Sequence, residues 1–269
     1  IVPELAGRSH IDELHRVINQ CLQSAKVELR DIDLIAVTMG PGLIGSLLVG
    51  VNAAKGISYG LDIPLIGVNH LEGHLLAIFL QEQIKFPFIS LVVSGGHTDL
   101  YRVDNFGSYK ILGRTRDDAA GESFDKVAKM LGHKYPGGPI IEKIAKEGNK
   151  DAHKFPRAYL EKDSLDFSFS GVKTSVKTFI NKKQKNNIPG LSDQDIAAGF
   201  QEAVVEVLSK KIIMACQREG LSRVVVTGGV AANGALRRAV ALECNSAGYE
   251  SWFPDPIYCT DNAAMIACA

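Results

Sequence analysis

Pro64-Leu65-Ile66-Gly67-Val68-Asn69-His70-Leu71-Glu72-Gly73-His74 is an apolar run that passes straight into a helical pattern. Pro64 to Val68 reads as a strand, and the residues after it as a helix. A strand feeding a helix is the repeating unit of an α/β layer. The two histidines are four apart, so on a helix they lie one above the other on one face. Two imidazoles so placed can share a metal ion. The plainer alternative is a pair of partly buried helix residues. The pattern is not the His-Glu-x-x-His of zinc proteases. Glu72 follows His70 by two residues, about 200° round the helix, and is badly placed to act as a base on a metal-bound water.

Upstream the same alternation continues. Ser9-His10-Ile11-Asp12 reads as a capping box, with Ile11, Leu14, Ile18, Cys21, Leu22 and Ala25 following at helical spacing. Leu34 to Val37 is a short strand run, and Pro41-Gly42 punctuates it. The helix expected over Leu43 to Tyr59 is apolar nearly all round, which predicts packing on several sides. Its Gly45 and Gly50 weaken a helix unless another backbone comes close.

Downstream, Phe86-Pro87-Phe88 marks a boundary. We expect a first α/β domain over 1–87, a second over 88–256, and a C-terminal segment, 257–269, returning towards the first. Phe88 to Val93 reads as a buried strand, Ser94-Gly95-Gly96-His97 as a turn, and Thr98 to Val103 as the returning strand. Tyr109 to Leu112 is a third strand. Helices are predicted over Ala119 to Leu131, Ile140 to Lys146, from a Ser192-x-x-Asp195 cap to Arg218, and from Asn233 to Ala247. Residues 148–170 read as irregular. Arg223 to Val226 is a strand that ends in Thr227-Gly228-Gly229.

The 269 residues suit one large domain or two smaller ones. No apolar run approaches the ~20 residues of a membrane span. Lys+Arg and Asp+Glu both number 30, so any grip on nucleic acid would use a local patch or a partner. The five cysteines show no Cys-x-x-Cys spacing and fit a reduced cytoplasmic protein. The chain begins at Ile1 rather than at a methionine, and we expect a segment before it, a targeting peptide included among the options.

Two glycine turns follow strands, Ser94-Gly95-Gly96-His97 and Thr227-Gly228-Gly229-Val230-Ala231-Ala232-Asn233. Glycine lets backbone N–H groups approach an anion, and a helix start adds its positive dipole end. Together they favour a nucleotide or acyl-phosphate ligand; the alternative is two tight turns. Asp117 to Lys126 opens a helix with Asp118, Glu122 and Asp125 near one face. Acids there complement the dipole. Their functional reading is recognition of a hydroxyl, such as a ribose, by Asp125, with Asp118 or Glu122 as weak candidates nearer the chemistry. Asp261, near the chain's end, either caps the last helix or gives His70 and His74 a third, oxygen ligand. Lys173, Lys177, Lys182, Lys183 and Lys185 form a solvated helix face or an RNA contact.

These motifs, in this order, resemble the bacterial tRNA adenosine threonylcarbamoyltransferase family, once labelled a sialoglycoprotein endopeptidase. The likeness spans the chain, from Val2-Pro3-Glu4-Leu5-Ala6 and Gly40-Pro41-Gly42-Leu43 through His70 to His74, Leu91 to Thr98 and Asp117 to Lys126. It continues through Tyr135 to Pro139, Asp166 to Gly171, Gly228 to Asn233 and Cys259 to Asn262. The resemblance implies an α/β fold of the actin-like, sugar-kinase and heat-shock ATPase type, two domains around a central cleft. It implies one divalent ion per subunit, Fe2+ ahead of Zn2+, on His70, His74 and Asp261. It places the ligand against Val92, Val93, Ser94, Gly95, Gly96, Asp125, Gly138 and Asn233. The implied reaction carries a threonylcarbamoyl group from threonylcarbamoyl-AMP to N6 of the adenosine beside the anticodon of tRNA. Implied partners are tRNA, a non-catalytic paralogue and a small ATPase, with no membrane. Family members begin with a strand and an acidic loop before the position of Ile1, so a catalytic group there is not assignable, and a last stretch follows the position of Ala269. Two rival readings remain, a metalloprotease and a nucleotide-binding module without chemistry.

Overall fold

The computed structural model describes residues 3–161, 163–186 and 191–269, and of 183–186 the backbone alone. Val2 of the first motif and the side chains of Lys183 and Lys185 lie outside the described residues. The chain divides into two compact units, residues 1–80 with 262–269, and residues 81–261.

The first unit opens with α1 (Pro3–Ala25), a single helix through the residues read as a capping box. Ser9 is therefore an interior helix residue and not a cap. A Cβ on Gly7 would lie 3.6 Å from the Gly45 backbone, so α1 crosses closely against the helix that carries Gly45. The glycine that admits this crossing is Gly7, since a Cβ on Gly45 itself would meet nothing within 4 Å. The strands β1 (Ile35–Gly40) and β2 (Leu65–Asn69) pair in parallel, joined by α2 (Ile44–Leu61). A right-handed crossover through a helix is the standard way to make such a pair. The expectation that α2 packs on several sides is not met. Ile44 is 77% and Leu48 56% exposed, and Ala54 is its one buried residue. Among the described residues, α1 and the two-strand sheet cover only part of its surface. β2 runs directly into α3 (His70–Leu76).

The second unit is built on a five-stranded sheet in the order β5-β4-β3-β6-β7. β3 (Phe88–Val93) is buried at all six positions, as an apolar run without alternation predicts for a central strand. β4 (Thr98–Asn105) and β5 (Ser108–Arg114) return antiparallel as a meander. Then come α4 (Ala120–Met130) and α5 (Gly137–Ala145), an irregular stretch bridged to the sheet at Thr115 and Phe167, and α6 (Ser170–Asn186). The 27-residue α7 (Asp193–Glu219) starts at the predicted box, where Ser192 and Asp195 satisfy each other's backbone N–H. Its buried face, with Phe200, Val204 and Leu208, joins Leu91, Phe124 and Phe167 in the main core.

β6 (Arg223–Thr227) lies parallel to β3, so the ends of both strands point the same way and their two glycine turns emerge together. A 3-10 turn (Gly229–Ala232) leads into α8 (Gly234–Ser246), β7 (Glu250–Trp252) and the short α9 (Pro256–Cys259). The last helix, α10 (Ala263–Cys268), belongs to the first unit, where Met265 and Ile266 share a core with Val68 and Ala77. No described helix is long and apolar enough to cross a membrane.

Candidate active site

Asn69 ends β2 and caps α3, its side chain accepting the N–H of Leu71 at 2.9 Å. That cap fixes where the helix starts and so which residues share a face. His70 and His74 stack over one turn with ring centroids 4.9 Å apart. His74 is buried and His70 half-buried. Asp261 was read as either a helix cap or a ligand. The cap of α10 is its neighbour Asn262, whose side chain accepts the N–H of Met265 at 2.9 Å. The ligand atoms of His70, His74 and Asp261 lie within 4.8 Å of one another. Atoms bound to a single ion at 2.0–2.2 Å are at most about 4.4 Å apart, so small side-chain adjustments would close the group. Two imidazoles and a carboxylate suit a divalent first-row ion and leave positions open for substrate.

The second unit holds a cavity of about 280 Å³. Of the residues expected to bind the ligand, Gly95, Asp125, Gly138 and Asn233 line it. Val92 and Val93 are wholly buried strand residues behind it. Ser94 and Gly96 form the hairpin tip, where the Ser94 hydroxyl accepts the N–H groups of His97 at 3.1 Å and Gly96 at 3.4 Å, but they are not in the lining.

The glycines sort into two kinds. A Cβ on Gly121 would come within 2.5 Å of the Ser94 carbonyl, and one on Gly228, at φ 92°, within 2.5 Å of the Val93 carbonyl. These are places where backbones touch. Gly95, Gly138 and Gly229 have nothing within 4 Å of such a Cβ, so they face open space in the cavity.

Asn233 has a structural task. Its Oδ1 accepts the N–H groups of Ala235 (2.9 Å) and Leu236 (3.0 Å), capping α8, while its Nδ2 donates to Gln201 at 2.9 Å. The Gly234 N–H donates to Glu142 at 3.0 Å. The first turn of α8 thus already meets protein oxygens, and the turn's contribution to the cavity is Gly229, Val230, Ala232 and Asn233. This differs from the expected bare helix end. Glu142, Tyr135 and Thr260 also line the cavity and were not among the expected ligand residues, although Tyr135 and Thr260 stand in motifs that carry the family resemblance. Glu142 stands in an ordinary short amphipathic helix, and only its meeting with Gly234 marks it.

The acidic segment divides by partner. Asp125 accepts the N–H of Gly137 at 2.7 Å and faces the cavity. Asp118, read as a weak catalytic candidate, is gripped by Lys126 at 2.8 Å and by Lys173. Burial pushes its carboxyl up, but the two lysines outweigh that and hold it below the usual range. Glu122 pairs with Lys126 on the surface at 2.7 Å. Asp117 accepts from Ser168, Ser170 and the Phe169 N–H, which together outweigh burial and hold it low as well. Asp117 and Asp118 are therefore poor proton acceptors. Lys173 is likewise engaged, whereas Lys177 and Lys182 are exposed.

The model of the tRNA N6-adenosine threonylcarbamoyltransferase family matches residues 1–268. The chain belongs to that family. The enzyme of that name from Thermodesulfovibrio yellowstonii is 56% identical over 270 residues, covering 99% of this chain and 80% of its own. Those of Syntrophotalea carbinolica and Clostridioides difficile are each 52% identical, covering all of this chain and 78% and 80% of their own. The family is one of acyl-group transferases that modify tRNA, which separates it from the protease and non-catalytic readings. Among solved structures, full-length HypF in its phosphate- and nucleotide-bound form overlays with a TM-score of 0.68 at 14% identity, over 96% of this chain and 41% of that one. Component A of Acidaminococcus fermentans (R)-2-hydroxyglutaryl-CoA dehydratase gives 0.53 at 18%, over 94% and 81%. At such identities the likeness concerns the fold, which is the α/β actin-like, sugar-kinase and heat-shock ATPase type.

Proposed function

We propose that this family member transfers the threonylcarbamoyl group of threonylcarbamoyl-AMP to N6 of the adenosine beside the anticodon, in tRNAs that read codons beginning with A, and releases AMP. The observation that supports assigning the chemistry to named residues is the meeting of His70, His74 and Asp261, which come from distant parts of the sequence. A divalent ion held there, Fe2+ ahead of Zn2+, would act as a Lewis acid on an oxygen of the activated group.

The other tasks fall to the chain itself. Gly95, Gly138 and Gly229 leave room for the nucleotide. Asp125, oriented by the Gly137 N–H, accepts a ribose hydroxyl. Val92 and Val93 hold the hairpin tip of Ser94 and Gly96 from behind, and Asn233 sets the turn opposite by capping α8. Thr260 lines the cavity and Asp261 is next in the chain, so one short stretch serves both nucleotide and ion ligands. As the new C–N bond forms, the bond from the carbonyl carbon to the phosphate oxygen of AMP breaks and the amine's proton passes to solvent, with Asp118 and Glu122, both held by lysine, serving as anchors rather than as its base. Compact units 1–80 with 262–269 and 81–261 act as the two domains. A non-catalytic paralogue and a small ATPase assist, in the cytoplasm.

The test uses the full-length protein with its helpers, threonylcarbamoyl-AMP and unmodified tRNA. AMP release and adenosine modification should both appear and both vanish with His74→Ala. Glycoprotein cleavage that is lost with His74→Ala, without any transfer to tRNA, would overturn the proposal in favour of a metalloprotease.

A further inference from the structure

Beside the nucleotide cavity, and sharing Asp125 and Tyr135 with it, lies a second groove of about 380 Å³. Lys126, Lys129, His133 and Lys134 stand along it, against the carboxylates Glu122 and Asp125. Lys126 is engaged with Asp118 and Glu122, and Asp125 with the Gly137 N–H. Lys129 and Lys134 are exposed and make no ion pair among the described residues, so the groove presents a net positive wall. Tyr135, at the junction with the cavity, is 75% exposed. A large aromatic side chain left that open, flanked by cations, is the arrangement that binds unpaired nucleotides, with phosphates on the lysines and a base stacked on the ring. The chain's net charge is zero, so its own grip on RNA would use a local patch. The exposed Lys177 and Lys182 of α6 flank Phe179, whose half-buried ring packs on His153 and Phe155.

We infer that this groove holds the tRNA strand next to the acceptor adenosine, with Lys129 and Lys134 on backbone phosphates and Tyr135 stacking on an unpaired base. The inference rests on the transferase reading above. It extends that reading by giving the RNA a surface. Lys129 and Lys134 here bind substrate, and take no part in the chemistry.

The experiment measures the KM for unmodified tRNA and the salt dependence of tRNA binding, using the full-length protein with its helper proteins. Lys129→Glu with Lys134→Glu should raise that KM at least tenfold, and lower the slope of log K against log salt by about two. Affinity for threonylcarbamoyl-AMP should hold. Tyr135→Ala should also raise the KM for tRNA, and Tyr135→Phe, which keeps the ring, should restore it. A wild-type protein that transfers, with both parameters unchanged in the double lysine variant, overturns the groove and leaves the transferase standing. A wild-type protein that gives no transfer at all overturns the transferase reading and the groove with it.

Discussion

A Cβ on Gly73 would sit 2.8 Å from the Ile266 Cδ1 and 3.3 Å from the Met265 Cγ. The missing side chain lets α10 lie directly on α3, and Asp261 is two residues ahead of α10. The glycine between the two histidines therefore has its own purpose. It sets the distance at which a carboxylate from the chain's end can meet them.

Gly73→Val should separate these helices without removing a ligand. Ile266 can yield a little, so the overpacking should cost about 1–3 kcal/mol. Bound metal per chain should fall while His70, His74 and Asp261 remain. Metal analysis and thermal denaturation of the same preparation check this, and full metal content would show that the spacing does not matter.

Asp125→Ala should weaken binding of threonylcarbamoyl-AMP while leaving the metal bound. It removes both the side chain that faces the cavity and the acceptor of the Gly137 N–H, a charge-assisted bond worth about 1.5–3 kcal/mol. Calorimetric titration reads the affinity. Equal affinity in the two proteins would take Asp125 out of the binding site.

Gly228→Ala meets two obstacles together, a φ of 92° and the Val93 carbonyl 2.5 Å from the new Cβ. Both lie in backbone, and backbone yields little. We expect a loss of at least about 2 kcal/mol. Gly229→Ala, next in the chain but facing open space, should leave stability nearly unchanged and instead crowd the cavity. Urea denaturation of the pair separates the two cases.

Stability should fall in acid partly through Glu206. Burial pushes its carboxyl up, but hydrogen bonds from Lys210 (2.7 Å) and Arg157 (2.9 Å) more than offset this and bring it down to about 2, from 4.5. A carboxyl depressed on folding contributes stability above its unfolded pKa, and that contribution is lost as pH falls through the folded value. The loss from this group therefore develops between pH 4.5 and about 2. Denaturant midpoints measured across that window should fall less steeply for Glu206→Gln than for the wild type.

Local chemistry in the sequence determined much of this protein. The run from Phe88 to Val93, apolar but for Ser90 and too short for a typical helix, reads as a central strand, and all six of its positions are buried. Ser192 and Asp195 start α7 by bonds that span three residues, and His70 and His74 share a face through helix geometry alone. What depended on residues far apart in the chain was decided by packing. Asp261 and Asn262 are both able to cap a helix, and only the docking of α10 on α3 selects Asn262 as the cap and turns Asp261 to the histidines. The pattern at Ser9 to Asp12 satisfies a capping box on paper. Yet α1 runs through it from Pro3, with Gly7 crossing against Gly45, because a cap signal stops mattering once the preceding turn is itself helical. Glu142 and Asn233 show the same limit. Their partners, Gly234 and Gln201, lie tens of residues away, and hydrogen bonds of that range leave no periodic trace in a sequence.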